Sequence, residues 1–178
     1  VIDYAEETKS AEQIRLFVHR TFNGLDLNQF LISLQHVYRN LGGLEEIFAV
    51  KPGETDVYPA ITRARESFFE MPHLQRAEKH FSNPATGSAA KRLSMFLRWM
   101  VRQGPVDFGI WKNISPSHLI CPLDVHSGNV ARKLGLLQRK QNDRKAAEEL
   151  TQSLALLCPE DPVKYDIALF GLGVFEKF

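Results

Sequence analysis

The stretch KRLSMFLRWMVR, residues 91–102, decides how the rest of the chain is read. At about 100° per residue, Ala89, Leu93, Phe96, Leu97, Met100 and Val101 fall on one broad arc, the pattern of a helix laid against a core. Lys91, Arg98 and Arg102 gather in a narrow arc opposite, with Met95 among them and Arg92 further round. A solvated helix face is the plain explanation for such a ridge. Two features point beyond it. No acidic residue occurs from Ser88 to Arg102, and the turn Asn83-Pro84-Ala85-Thr86-Gly87 lies just upstream, where amides feeding a helix N-terminus suit a phosphate.

Outward from this helix, the same spacing recurs along nearly the whole chain, and alternating strand patterns are hard to find. A first helix is expected over residues 10–22, with Ser10 as N-cap and Ile14, Phe17, Val18 and Phe22 on one stripe. Asp26 is expected to cap a second, running to Asn40 and stopped by Gly42-Gly43. Further helices are expected over residues 55–69, 74–81, 88–102, 125–136, 143–157 and 162–175, with an irregular segment from 104 to 122. The expectation is one all-α domain of seven or eight helices covering residues 1–178, without internal repeats.

The composition narrows the class. The chain has 178 residues with 44% hydrophobic content, enough for one buried core. Formal net charge is +1, from 22 Lys+Arg against 21 Asp+Glu, so a purely electrostatic nucleic-acid binder is disfavoured, though not one with its positive charge on one face. Two cysteines, Cys121 and Cys158, are too few for a disulfide framework or a four-thiolate metal site. They read as packing residues in a reducing, cytoplasmic setting, with no metal and no cofactor expected. No apolar run reaches spanning length, so no membrane association is expected.

The second informative stretch is Pro122-Leu123-Asp124-Val125-His126. Asp124 immediately precedes the helix over 125–136, where a carboxylate caps free amides and meets the positive end of the helix dipole. Capping does not exclude chemistry, because a carboxylate held rigidly at a helix end can also face a pocket. His126 falls in the first turn.

An aspartate that caps a helix in a Pro-x-Asp-x-His context, followed by Arg132-Lys133-Leu134-Gly135-Leu136, resembles the helix-hairpin-helix base-excision DNA glycosylases. Gly87-Ser88-Ala89-Ala90-Lys91 is similar to the segment that presents the nucleophilic lysine in the bifunctional members. The usual Leu-Pro-Gly-x-Gly hairpin is replaced by residues 83–88. The long interval from Lys91 to Asp124 resembles the archaeal 8-oxoguanine DNA glycosylase branch. The chain is most similar to an uncharacterised prokaryotic family carrying Gly-Ser-x-x-Lys-Arg-Leu, Phe-Leu-Arg-Trp-Met-Val-Arg, Pro-Leu-Asp-x-His and Asp-Pro-Val-Lys-Tyr-Asp, the last at residues 161–166. The likeness covers residues 87–173, within a motif-bearing region 83–175. It also leads one to expect N-terminal helices of a longer protein.

The resemblance implies a helical DNA-glycosylase-like domain with a degenerate helix-hairpin-helix, acting in DNA repair on a damaged, flipped base such as an oxidised purine. Lys91 would attack the sugar and form a Schiff base, and Asp124 would stabilise the cationic sugar. Neighbouring Arg92 and Arg98 would favour the neutral amine. Gly87, Ser88, Arg92, Arg98, Arg102, His126 and Gly128 are the expected DNA contacts, and Trp99, Phe108 and Trp111 the aromatic candidates for the base pocket. Lys112 is a competing nucleophile, and Lys164 or Asp166 could approach the base. Asp161 reads as a helix cap. The alternative is a non-catalytic helical module binding nucleic acid or a protein, in which Asp124 only caps and Lys91 only contacts phosphate. Oligomeric state is left open.

Overall fold

The computed structural model describes Ile14, residues 16–176 and Phe178. The described residues are mostly helical, with two short two-stranded sheets among them. It divides into two compact units, Val1–Phe48 with Arg63–Phe81, and Ala49–Thr62 with Ser82–Phe178.

The first unit opens with a hairpin of β1 (Val18–His19) and β2 (Phe22–Asn23), paired antiparallel with His19 opposite Phe22. This replaces the C-terminal part of the helix expected over 10–22; the Ser10 cap lies outside the described residues. The turn needs a left-handed residue, which Arg20 supplies at φ 56°. Next comes α1 (Gly24–Asn40). Its cap is Asn23 rather than Asp26: Asn23 Oδ1 accepts from the Leu25 and Asp26 amides, and Asp26 Oδ2 accepts from the Asn23 amide in return. That reciprocal box satisfies amides that the first helical turn leaves free. Asp26 is fully buried and also pairs with Arg76 and His80, each at 3.2 Å. The helix stops where Gly42 and Gly43 take φ of 78° and 104°, and α2 (Leu44–Ile47) follows. Edge-on aromatic contacts link Phe30 to Phe22, Phe68 and Phe69 at 5.0–6.3 Å between ring centres.

The expected helix over 55–69 is α3 (Tyr58–Phe68), whose range straddles the boundary between Thr62 and Arg63. The expected helix over 74–81 tightens into a 3₁₀ helix, Gln75–His80.

The second unit is built on four helices: α4 (Lys91–Val101), α5 (Val125–Lys133), α6 (Arg144–Ala155) and α7 (Asp166–Val174). Val57, Ile61, Leu97, Leu119, Val130, Leu137, Leu150, Leu154 and Val163 are its largest fully buried aliphatic side chains. Between α4 and α5 the chain makes a hairpin of β3 (Gln103–Gly104) and β4 (Asp107–Phe108), inside the segment expected to be irregular. Before α7, Pro162–Tyr165 forms a 3₁₀ turn, so the helix expected over 162–175 starts later. α5 and α7 approach so closely at Gly173 that a Cβ there would lie 2.9 Å from the His126 carbonyl oxygen. No helix among the described residues is long and apolar enough to cross a membrane.

Candidate functional site

Two caps made by local sequence bring the central pair together. Asn83 Oδ1 accepts from the Ala85 amide, starting the 3₁₀ turn Pro84–Thr86, which Gly87 ends at φ 92°. Ser88 Oγ accepts from the Ala90 amide, and the buried Tyr58 hydroxyl donates to the Ala89 carbonyl at 3.1 Å. Ala90, at φ 47°, then launches α4 from the left-handed region, so Ala90 and not Ser88 is its N-terminal cap. Lys91 is therefore the first residue of a helix whose starting direction is fixed by three preceding contacts.

On the other side, Asp124 caps α5. Its Oδ1 accepts from the Ser127 amide at 2.9 Å and from Ser127 Oγ at 3.1 Å, and its own amide donates back to Ser127 Oγ. This occupies one carboxylate oxygen and leaves Oδ2 for Lys91, whose Nζ donates to it at 2.7 Å. Burial by itself would raise the Asp124 carboxyl, but the Lys91 ammonium and the Ser127 amide outweigh it and hold it below its ordinary value. Asp124 thus serves as cap with one oxygen and as ion-pair partner with the other.

The pair opens on a cavity of about 210 Å³ lined by Lys91, Met95, Arg98, Asp124, Asp166 and Phe170, among others. That is smaller than the roughly 300–1,000 Å³ of pockets for drug-sized ligands. One planar heterocycle with part of its attached ring is the scale of guest it admits. Directly behind Pro122 lies Cys121, fully buried, with its thiol pushed up by that burial and its amide donating to Thr151 Oγ.

The basic ridge read from the sequence is resolved differently. Arg98 is only 5% exposed and projects inward. Its Nη1 donates to Asp166 Oδ2 at 2.6 Å, and its Nη2 lies 3.2 Å from Asp107 Oδ1. Arg102 grips Asp161 through Nε and Nη2, both at 2.8 Å, and reaches Asp107 with Nη1. Asp161 therefore holds an arginine and makes no side-chain cap. Both guanidiniums are paired with carboxylates from outside their helix, although the buried Arg98 Nε has no partner among the described residues; this corrects their reading as phosphate contacts and removes Arg98 as an unpaired cation beside Lys91. Arg92 and His126 remain exposed, with the His126 ring edge-on to Phe170 at 6.0 Å.

The turn amides are also occupied. The Gly87 amide donates to the Pro84 carbonyl and the Gly128 amide to the Asp124 carbonyl, so neither is spare for a phosphate. Gly128 is buried, and a Cβ there would meet Arg132, Asn142 and Leu123.

None of the aromatic candidates lines the cavity. Trp111 is 7% exposed and packs edge-on against Phe96 at 5.3 Å. Phe108, 72% exposed, stands on the β3–β4 hairpin, and Trp99 is partly exposed. Met95, Ile167 and Phe170 supply the apolar wall instead. Lys112 donates to the Gly109 carbonyl, and Lys164 stacks over the Tyr165 ring at 5.1 Å; neither joins the cavity. Among the described residues, no group of three His, Cys, Asp or Glu side chains is arranged to hold a metal ion.

Asp166 does join it. Its sequence signal was an acid opening a helix that is otherwise wholly apolar, Ile-Ala-Leu-Phe-Gly-Leu-Gly-Val. Asp166 is 7% exposed; burial raises its carboxyl, and the Arg98 pairing only partly offsets this.

Compared with known proteins, a family model described as "Protein of unknown function (DUF2400)" matches residues 1–175. No curated protein and no solved structure matches the chain.

Proposed function

The chain belongs to the DUF2400 family, and from that premise we propose that it is a DNA-repair glycosylase with abasic-site lyase activity, Lys91 supplying the nucleophile and Asp124 its carboxylate partner. One observation carries this reading: Lys91 Nζ stands 2.7 Å from Asp124 Oδ2 on the wall of a cavity of base-sized volume, although the two lie 33 residues apart. The resemblance of residues 87–173 to the helix-hairpin-helix glycosylases supports it. In that reading the 3₁₀ turn Pro84–Thr86 and Gly87 form the degenerate hairpin ahead of α4.

The chemistry runs as follows. A damaged nucleotide is extruded from the duplex so that its base enters the cavity and its C1′ meets Lys91. Lys91 passes one proton to Asp124 Oδ2 and attacks C1′ with the freed lone pair, and the glycosidic C–N bond breaks with its electrons going to the base. The C1′–O4′ bond then opens, O4′ takes the proton held by Asp124, and Nζ sheds a second proton to solvent. The product is an iminium between Lys91 and C1′. Loss of a C2′ proton then expels the 3′-phosphate and cuts the strand. Asp124 is thus the base that frees the Lys91 lone pair and, once it has given the proton to O4′, the carboxylate that faces the cationic iminium. In this reading Arg92 and His126, exposed on α4 and α5, contact the DNA backbone, while Arg98 and Arg102 serve the framework.

Borohydride trapping tests the reading on duplexes containing 8-oxoguanine, uracil or an abasic site. A covalent protein–DNA adduct that disappears in Lys91→Ala supports it. Absence of an adduct with every duplex, or an adduct that persists in Lys91→Ala, refutes it. DNA binding that weakens with salt and yields no adduct would assign the chain to a non-catalytic binding module.

A further inference from the structure

The cavity holds a second carboxylate, and the first has its own task. Asp124 is engaged through both oxygens, by Ser127 and by Lys91. Asp166 has a different environment. It opens α7 and lines the same cavity, and its hydrogen bond comes from Arg98 Nη1 to Oδ2. Among the described residues Oδ1 has no donor, and it is not one of the buried side-chain oxygens left without a partner, so it stays accessible from the cavity.

The surrounding charges favour a stored proton. Lys91, Arg98 and Arg102 are linked by ion pairs to Asp124, Asp166, Asp107 and Asp161. Three cations face four carboxylates, which leaves one acid in surplus inside a largely buried network. Asp107, fully buried at its side chain, is pinned by two arginines, and Asp161 is gripped twice by Arg102. Asp166 has a single donor. Burial pushes the Asp166 carboxyl up while contacts pull Asp124 down. Two carboxylates of one site driven in opposite directions are the arrangement by which acid and base roles are divided.

Resting on the glycosylase reading above, we propose that Asp166 is the catalytic acid that protonates the departing base. The balance is complete without any further reagent. As the C1′–N bond breaks, the base takes the electron pair and the Asp166 proton and leaves neutral. Asp166 remains as a carboxylate held by Arg98. Of the two protons lost from Lys91 Nζ, one ends on O4′ through Asp124, and the other, released to solvent, matches the proton that restores Asp166.

This role separates two activities that a positional role would not separate. An abasic site has no base to expel, so its capture by Lys91 does not need Asp166. In Asp166→Asn, single-turnover base release from the 8-oxoguanine or uracil duplex that the wild-type protein processes should fall about 100-fold or more, the scale of a lost general acid. Borohydride trapping on the abasic duplex should stay within about threefold. Base release that is unchanged, or that falls in step with abasic trapping in a variant whose thermal midpoint is preserved, overturns the proposal. If Asp166→Asn does not fold, the wild-type chain decides by pH. The groups facing Asp166 are Arg98 and Lys91 from α4, Asp124 from the start of α5 and Cys121, with Asp107 beyond Arg98. Base release should fall relative to abasic trapping as pH rises and Asp166 loses its proton; parallel profiles overturn the assignment. Should the wild-type chain trap neither kind of duplex, the glycosylase reading falls first and the proton donor with it.

Discussion

Replacing Asp124 by asparagine separates its two functions, because the structure assigns them to different oxygens. Oδ1 caps α5 through Ser127, and an asparagine oxygen accepts the same hydrogen bonds. Oδ2 pairs with Lys91, whose side chain is 40% exposed. Solvent screening limits such a half-exposed pair to about 0–1 kcal/mol. At about 2–4 °C per kcal/mol for a chain of this size, Asp124→Asn should lower the thermal midpoint by less than about 4 °C. Asp124→Ala also removes the cap and should cost about 0.5–2 kcal/mol more. Activity should order differently. Both variants lose the carboxylate that takes the Lys91 proton and then faces the cationic iminium, so borohydride trapping should fall about 100-fold or more in each. The assays are paired melting curves and trapping rates on the abasic duplex. Trapping in Asp124→Asn within about threefold of wild type would refute that role. A midpoint as low as that of Asp124→Ala would refute the division between the oxygens.

Arg98→Met breaks two buried ion pairs, stranding Asp166 and leaving Asp107 to Arg102 alone, which should cost about 3–5 kcal/mol, measured by urea denaturation. Gly173→Ala places a Cβ against the His126 backbone and should destabilise by about 1–3 kcal/mol as α5 and α7 are pushed apart; a midpoint equal to wild type would contradict the packing. Asp143 is held at about 2, chiefly by the Arg139 guanidinium. Because its folded value lies below the unfolded one, its contribution is present above about pH 4 and is lost as pH falls through 2. The midpoint difference between wild type and Asp143→Asn, measured from pH 7 downward, should therefore be constant to near pH 4 and vanish by about pH 2.

The parts of the fold legible in the sequence are those fixed by neighbours along the chain. Gly42-Gly43 stops α1 because both glycines take positive φ, and Asp124 starts α5 because its carboxylate reaches an amide three residues on. The hairpin at residues 18–23 was not legible, since two-residue strands are too short to show alternation and Phe17, Val18 and Phe22 mimic a helical stripe. The fate of Arg98 and Arg102 was hidden for another reason. A search for acids on their own helix finds none, whereas their partners arrive from positions 107, 161 and 166. The apolar lining of the cavity was hidden for the same cause: bulk and ring type mark Trp99, Phe108 and Trp111, but only the tertiary arrangement that brings α4 and α7 to one cavity selects Met95, Ile167 and Phe170. That Lys91 approaches Asp124 was expected only through the resemblance; the structure brings them together because each begins a helix and the two helix starts come face to face.

Cys121 sits one residue behind the cavity wall, with no accessible surface and with burial holding it in the unreactive thiol form. A maleimide reagent can reach it only when this unit opens. With Cys158 replaced by serine, the labelling rate of the remaining sulfur becomes a stopwatch for that opening, read by mass spectrometry without any substrate. A bound abasic duplex would slow the stopwatch, turning occupancy of the site into a measurable delay.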